Sequence, residues 1–421
     1  MAQLFQDVVV IGAGPAGSVA GTYLARAGMR PLILEKETFP RFAIGESLLP
    51  YGNEILRELG LWTELERGGF IKKFGADFCT GRNERFNRFW FRRVLGEEFG
   101  HTFQVDRARF DHILMNHAKS QGCEIIEGAK VMGISKSADG SIRLSFEDGN
   151  GIHHIQTRWL VDAGGRAGIA GAALKWPRKP TRDRKMVAIY GHFHGVLRNA
   201  GEAAGHTVIV RFKEGWFWLI PLANDITSVG AVVPPDFLRK NGGDLKKAFQ
   251  TCVDENPEVS LRLAKSKIAV PLRATADYSW RHASFAEDRV ILAGDAAGFV
   301  DPIFSSGVML AMKSGRLAAK TIVKHEALGR GLSPRESKAY TREVASWMKL
   351  YSRIIRSFYD RAGFEIFMNP MPFFGIPRSI GLLVGGQLDL PLAHHARIVL
   401  FQLICAVQRV LRIAPPIPSL R

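Results

Sequence analysis

The chain has 421 residues, of which 46% are apolar, so it can bury a large core and form more than one domain. Its 57 lysine and arginine residues exceed its 40 acidic residues, and a net charge of +17 predicts attraction to acidic partners. No nucleic-acid-binding motif accompanies the basic residues, which argues against nucleic acid. The four cysteines contain no CxxC pair, which argues against a disulfide framework.

The first predicted elements are a buried strand, Val8–Ile11, and the glycine-rich turn that follows it. Gly12 permits the sharp turn and Gly14 lets the backbone approach a pyrophosphate. Gly17 lets the next helix pack closely with its positive N-terminus facing the phosphates. Glu35 ends the second strand, where its carboxylate can accept hydrogen bonds from adenosine ribose hydroxyls. This spacing predicts a dinucleotide site.

Three later segments hold residues suited to the rest of a dinucleotide. Arg107 stands with two acids near the start of a predicted helix, and Asp162 follows a strand-like run. Asp295 follows Gly294 at the end of another apolar strand, where a carboxylate can hold a ribityl or ribose hydroxyl. Together these segments resemble the FAD-dependent monooxygenase, reductase and halogenase superfamily from about residue 6 to about residue 345. The resemblance implies FAD as the cofactor, and no second GxGxxG motif indicates an NAD(P)H domain.

The periodicity of the sequence predicts the domain organisation. An amphipathic helix is expected over 53–67, and period-two alternation over 74–97 and 180–272 predicts an antiparallel sheet. We therefore predict an α/β fold: a Rossmann-type FAD-binding domain (1–73, 101–175 and 285–345), an inserted antiparallel β-sheet substrate domain (74–100 and 176–284) and a C-terminal helical region (346–421).

Two motifs resemble those of flavin-dependent halogenases. Trp216 and Trp218 belong to a complete Trp-x-Trp-x-Ile-Pro motif, and Pro302 and Gly307 belong to a complete Phe-x-x-Pro-x-x-Ser-x-Gly motif. The resemblance implies that the two indoles are a barrier that keeps organic substrates away from the flavin. It also places Pro302 and Gly307 at the cofactor. Looser versions of both motifs occur in reductases and hydroxylases of the superfamily.

The second motif precedes a helix predicted to begin at about Val308. The amides of Ser306 and Gly307 would therefore lie at a helix N-terminus, which suits a halide ion. Tryptophan halogenases resemble the chain here but have a glutamate where this chain has Phe304, so free tryptophan is not the expected substrate.

The segment around Lys73 resembles the halogenase segment in which a lysine ends a tunnel from the flavin. In the reaction that this implies, reduced flavin and oxygen convert chloride or bromide to hypohalous acid, which travels to the lysine. Lys73 would hold or activate it, as an ammonium that donates a hydrogen bond or as a neutral amine that forms a haloamine. The adjacent Lys72 is the alternative residue.

The loop that contains Arg41, Gly45 and Ser47 resembles the halogenase loop that sits against the flavin. Arg41 would face the phosphates or the isoalloxazine, and Gly45 would allow close backbone approach. An exposed arginine without a role is an equal alternative for Arg41. The paired histidines 153–154 and 394–395 lack partners at metal spacing, so no metal is predicted.

The N-terminal and C-terminal segments bear on where in the cell the protein acts and what it contacts there. The N-terminus shows no basic region followed by a cleavable apolar core, so we expect a cytoplasmic protein. Near the C-terminus, residues 397–412 are rich in arginine and aliphatic residues at helical spacing. This segment could lie on a membrane, receive a partner, cover the catalytic cavity or simply pack on its own protein.

The sequence thus predicts an FAD-dependent halogenase that acts on an electron-rich aromatic, phenol- or pyrrole-like, because electrophilic halogen requires such a ring. The substrate could be tethered to an acidic acyl-carrier protein, and a separate flavin reductase would supply reduced FAD. A monooxygenase or double-bond reductase of the same superfamily is the first alternative. A non-catalytic flavoprotein associated with a membrane or carrier is the second.

Overall fold

The structure is a computed structural model that describes residues 4–180, 185–277, 280–370 and 373–420. Its strands form two large sheets and two short ladders. In chain order the strands are β1 (Leu4–Ile11), β2 (Pro31–Leu34), β3 (Ile71–Lys73), β4 (Gly75–Thr80), β5 (Phe86–Trp90), β6 (Thr102–Gln104), β7 (Glu124–Ile126), β8 (Lys130–Lys136), β9 (Ile142–Asp148), β10 (Gly151–Asp162), β11 (Arg178–Pro180), β12 (Met186–His194), β13 (Thr207–Arg211), β14 (Trp216–Pro221), β15 (Ile226–Val233), β16 (Lys267–Asp277), β17 (Trp280–His282), β18 (Ala286–Glu287) and β19 (Val290–Leu292).

Helices cover the sheets and make up most of the C-terminal region. In chain order they are α1 (Pro15–Arg26), α2 (Asn53–Glu58), α3 (Trp62–Arg67), α4 (Phe91–Leu95), α5 (Arg107–Ser120), α6 (Ile169–Ala173), α7 (Pro235–Lys240), α8 (Leu245–Asp254), α9 (Pro257–Leu263), α10 (Gly307–Ala327), α11 (Pro334–Tyr359), α12 (Arg361–Met368), α13 (Ile376–Val384) and α14 (Leu392–Leu411).

The first sheet has a parallel centre, in the order β19-β10-β1-β2-β7, and is extended by antiparallel strands β18, β9 and β8. Residues 8–10 of β1 are three fully buried valines, as expected for a strand covered on both faces. Helices α1 and α10 cross closely on this sheet. A Cβ on Gly315 would lie 2.3 Å from the carbonyl oxygen of Ala16, so the close approach requires glycine.

The second sheet has the order β16-β12-β15-β14-β13-β4-β5. It is antiparallel except between β13 and β4, which run parallel. Its two faces pack on different layers. Trp216 and Trp218 belong to the main core that is shared with the first sheet, whereas Phe217 and Leu219 face the separate core under α8 and α9. The alternation along β14 therefore directs both tryptophans toward the side of the first sheet.

The C-terminal region is helical, as predicted. Helices α12 and α13 pack against α14, and α13 also packs against α4 beside the second sheet. Gly381 of α13 is close to Phe89 of β5, since a Cβ at this glycine would lie 2.7 Å from that ring. The C-terminal helices thus form a wall beside the edge of the sheet.

The predicted α/β class is confirmed, with one local error in the predicted elements. Residues 53–67 form two short helices rather than one, because Gly60, with a φ of +80°, interrupts them. The domain boundaries given above stay a prediction. Within the described residues, no helix is long and apolar enough to cross a membrane.

Candidate active site

The glycine turn before α1 is shaped for a phosphate group. Gly12 has a φ of +90°, and a Cβ there would lie 2.7 Å from the oxygen of Ala163. A Cβ on Gly17 would lie 1.8 Å from the oxygen of Gly12. At Gly14 the only near neighbour among the described residues is the end of the Arg41 side chain, at 3.3 Å. The first turn of α1 contains no acidic residue, so its amides are available to an anion.

Glu35 lies directly behind this turn and is buried. Its carboxylate accepts hydrogen bonds from the amides of Ala13 at 2.8 Å and Glu37 at 3.0 Å. These bonds hold the carboxylate beside the glycine turn, while its other lone pairs can accept from ribose hydroxyls.

Arg41 and Arg107 meet around one buried carboxylate, and Gly45 lies beside the guanidinium of Arg107. Arg107 forms a two-point ion pair with Asp111, with distances of 2.7 and 2.8 Å, and Arg41 lies 3.3 Å from the same carboxylate. The guanidinium of Arg107 also donates to the oxygen of Ile44 at 2.6 Å. Arg107 therefore fixes the loop that ends at Gly45, which has a φ of +94°.

Asp295 lies in the turn after β19 and is partly buried. Burial raises the pKa of its carboxyl to about 6, although the charges of Arg166 and Arg107 act in the opposite direction. No described residue donates a hydrogen bond to this carboxylate, so it can accept from a polyhydroxylated ligand. With the glycine turn and Glu35, this acceptor makes a site whose residues fit FAD.

The loop before α10 brings Pro302, Ser306 and Gly307 together. Ser305 adopts the left-handed conformation, with a φ of +57°, and Ser306 is the N-cap of α10. The hydroxyl of Ser306 is buried and has no partner among the described residues. A Cβ on Gly307 would meet no atom of the described residues within 4 Å beyond its own chain neighbours. The predicted halide-binding amides therefore lie at the N-terminus of a long helix, beside open space.

Both tryptophans of the first halogenase-like motif are buried on β14. Their ring centroids are 5.9 Å apart, and Trp218 donates to the hydroxyl of Ser228 at 3.1 Å. Trp216 donates to the hydroxyl of Tyr359 at 2.6 Å, and Tyr359 donates to Asp301 at 3.0 Å. Tyr359, at the end of α11, thus connects the two motifs. No pattern in the sequence indicates this role, because a single tyrosine in a helix has many uses.

Lys73 is buried and Lys72 is exposed. The Nζ of Lys73 donates to Ser47 Oγ at 2.7 Å and to the oxygen of Leu48 at 2.9 Å. It lies 5.4 Å from the centroid of the Phe91 ring, and none of the described residues forms an ion pair with it. Burial without a carboxylate partner lowers the pKa of this amine to about 7.

A polar network fixes the hydroxyl that binds Lys73. Ser47 Oγ lies 2.9 Å from Thr207 Oγ1, and Gln104 donates to the same threonine at 2.9 Å. On the other side of the loop, the buried Glu46 and the partly buried His192 form a pair at 2.7 Å. Burial opposes protonation of His192, yet the hydrogen bond and charge of Glu46 raise its pKa overall. The Ser47–Thr207 and Glu46–His192 pairings were not predicted, since the members of each pair are far apart in sequence.

A cavity of about 590 Å³ lies between the edge of the second sheet and the C-terminal helices. Its walls are mainly apolar, and exposed arginines from α4 and α13 also line it. Residues that define it include Phe89, Arg92, Arg93, Phe367, Arg378 and Phe401. Phe91, whose ring lies over Lys73, begins the helix that lines this cavity.

The paired histidines have ordinary partners. His153 bonds Asp148 at 2.8 Å and His394 bonds Ser379 at 2.9 Å. Within the described ranges, no group of three or more histidine, cysteine or acidic side chains is arranged to hold a metal ion.

Known proteins identify the family. The model of the FAD binding domain family matches residues 6–332. A chlorinase of 1H-pyrrole-2-carbonyl peptidyl-carrier protein from Pseudomonas fluorescens is 32% identical over 340 residues, 76% of each chain. The corresponding brominase from Pseudoalteromonas luteoviolacea is 34% identical over 324 residues, 75% of this chain and 77% of the relative.

The solved structure of the flavin-dependent brominase Bmp2 is also similar, with a TM-score of 0.86 and 28% identity over 97% of this chain and 99% of that one. The glycine turn, the buried lysine and the two halogenase-like motifs lie within the region of similarity. The chain is therefore a member of the flavin-dependent halogenases, enzymes that use FAD with chloride or bromide.

Proposed function

We propose that this halogenase transfers an electrophilic halogen from Lys73 to a phenol- or pyrrole-like ring that is tethered to an acidic carrier protein. The main support is the amine of Lys73, which is buried with two hydrogen-bond acceptors and no carboxylate among the described residues. The two relatives that act on a pyrrole held by a carrier protein support the tethered substrate.

Reduced FAD, when bound, would supply two of the four electrons that reduce O2, and the halide would supply the other two, so that the products are hypohalous acid and water. The glycine turn (Gly12, Gly14 and Gly17), Glu35 and Asp295 would hold the dinucleotide, with Arg41, Gly45, Arg107 and Pro302 around it. The amides of Ser306 and Gly307 would hold the halide, because the positive end of α10 stabilises an anion there. Trp216 and Trp218 would block direct access of the aromatic substrate.

Lys73 acts after hypohalous acid has formed. Because its pKa is about 7, much of the amine is neutral at neutral pH. The nitrogen lone pair attacks the halogen, so that an N–X bond forms and the O–X bond breaks. The hydroxide released takes the amine proton and leaves as water. The N–X bond then breaks as a ring carbon takes the halogen, the nitrogen keeps the electron pair, and the proton that the ring loses restores the amine.

The cavity of about 590 Å³ is the proposed chamber for the aromatic ring. Its volume lies in the range of small-molecule sites, and its apolar walls suit an aromatic group. Arg92, Arg93 and Arg378 place positive charge around it, where it can attract the phosphate of a carrier arm or the acidic surface of the carrier. A separate flavin reductase would supply reduced FAD, since only one GxGxxG motif is present.

The test compares free and tethered substrates. The protein is supplied with a flavin reductase, chloride or bromide, and a panel of phenols and pyrroles, each free or loaded on a carrier protein, and products are identified by mass spectrometry. We expect halogenation of the tethered ring, with turnover that falls steeply between about 0.1 M and about 1 M salt as the Debye length shortens. Flavin oxidation should not change with salt. Salt-independent turnover of a free phenol would refute the carrier part of the proposal.

A further inference from the structure

Helix α14 has two apolar faces, and only one of them packs inside the protein. Ile398, Phe401 and Cys405 are buried beside α12 and α13. The opposite face consists of exposed aliphatic residues, here called the outer stripe: Leu392, Ala396, Val399, Leu403, Ala406 and Val410.

The outer stripe is continuous along the helix. Its members follow one another at alternating steps of four and three residues, which places them in one line about 30 Å long on a helix of this length. Leu392, Leu403 and Val410 are 87%, 58% and 78% exposed. A row of aliphatic side chains of this length is unusual on the surface of a folded protein and indicates that another surface covers it.

The charges around the outer stripe identify the kind of surface. The sequence contains no aspartate or glutamate between residues 390 and 421, and Arg409 and Arg412 are exposed beside the stripe. Arg409 pairs with Asp360 at 3.3 Å, whereas Arg412 has no ion pair among the described residues, so two copies of the chain in contact along α14 would bring two such arginines together. An anionic lipid surface accepts the aliphatic side chains in its interfacial layer and pairs with the arginines at the same time.

We propose that α14 docks on an anionic membrane, with the helix parallel to the membrane plane and the outer stripe buried among the lipid headgroups and upper acyl chains. The overall charge of +17 strengthens the long-range attraction. Phe401 and Ile404 of the same helix line the proposed substrate cavity, so docking would hold that cavity next to the membrane. This proposal does not depend on the identity of the aromatic substrate.

The experiment measures binding of the full-length protein to vesicles by cosedimentation. Vesicles of phosphatidylglycerol and phosphatidylcholine in equal parts should bind it, and vesicles of phosphatidylcholine alone should bind it more weakly. The double variant Leu403→Glu, Val410→Glu should bind the anionic vesicles at least about tenfold more weakly, because two aliphatic contacts are replaced by charges that anionic lipid repels.

The matched control is Leu261→Glu, which alters an equally exposed leucine, 63% exposed, in α9. It should bind vesicles like the wild type. Unchanged FAD uptake and flavin oxidation in both variants would show that the fold is intact.

Three outcomes would overturn the proposal. The first is equal binding of the double variant and the wild type, and the second is no vesicle binding by the wild type. The third is a dimer or a carrier-protein complex, measured by light scattering, that the double substitution disrupts while vesicle binding is unaffected.

Discussion

The glycine turn before α1 and the surroundings of Lys73 are both buried, but they depend on contacts of very different range in the sequence. The turn is a property of a few consecutive residues whose backbone must bend and approach a ligand. The lysine site exists only when β3, β6, β13 and the loop of Ser47 are assembled around it. A substitution in the turn should therefore abolish every flavin-dependent reaction. A substitution of Lys73 should abolish halogenation but leave flavin oxidation in place.

The largest effect is expected from Gly14→Val. The substitution should abolish FAD binding and with it every flavin-dependent reaction, because the added side chain occupies the space through which the pyrophosphate approaches. The fold should survive, since within the described part of the chain a Cβ here meets only the flexible end of Arg41, at 3.3 Å. Flavin fluorescence and thermal unfolding measure the two properties. Gly149→Val, at a glycine with open space around it, is the control that should keep FAD.

Lys73→Met should have the next largest effect. Product halogenation should fall by about 10²–10⁴-fold, in line with the loss of a positioned catalytic group, while flavin oxidation continues. Lys72→Met should leave both activities unchanged, since Lys72 is exposed. Mass spectrometry and the flavin absorbance measure both rates in one sample. A loss of halogenation in Lys72→Met alone would show that the wrong lysine has been chosen.

The pH dependence of halogenation distinguishes the two forms of Lys73. If the neutral amine reacts, single-turnover halogenation should rise about tenfold per pH unit below about 7 and level off above it, since the pKa of Lys73 is about 7. Lys73→Arg is the control, because its guanidinium stays protonated throughout this range. It should be inactive in halogenation at every pH. A rate that falls through about pH 7, with activity retained in Lys73→Arg, would assign the reaction to the ammonium form.

The difference between contacts that are local in sequence and contacts between distant residues also explains which features could be predicted from the sequence. The glycine turn, Glu35 and the alternation along β14 are local patterns, and the structure reproduces each of them. The parallel pairing of β4 with β13 could not be predicted, because these strands are more than a hundred residues apart. The Glu46–His192 pair has a separation of 146 residues and was missed for the same reason. By contrast, the helix break at Gly60 had a visible signal, a single glycine within an amphipathic pattern.

The smallest expected effect concerns Tyr359, which connects the two halogenase-like motifs. Tyr359→Phe removes the hydroxyl that accepts from Trp216 and donates to Asp301, and should lower the free energy of unfolding by about 1–3 kcal/mol. Tyr351→Phe, on the same helix, removes a buried hydrogen bond to the oxygen of Leu383 and should cost a similar amount. Thermal unfolding measures both changes.

Only Tyr359→Phe should also lower the amount of halogenated product formed per flavin oxidised. Asp301 lies in the loop that leads to the proposed halide site, and Trp216 belongs to the proposed barrier, so loosening either would let hypohalous acid escape before it reaches Lys73. The hydroxyl of Tyr351 bonds to Leu383 in α13, which belongs to neither motif, so its loss should reduce stability without changing this ratio. If the two variants gave the same ratio of product to oxidised flavin, Tyr359 would be a structural residue only. The yield of halogenated product per oxidised flavin would then depend on the surroundings of Lys73 alone.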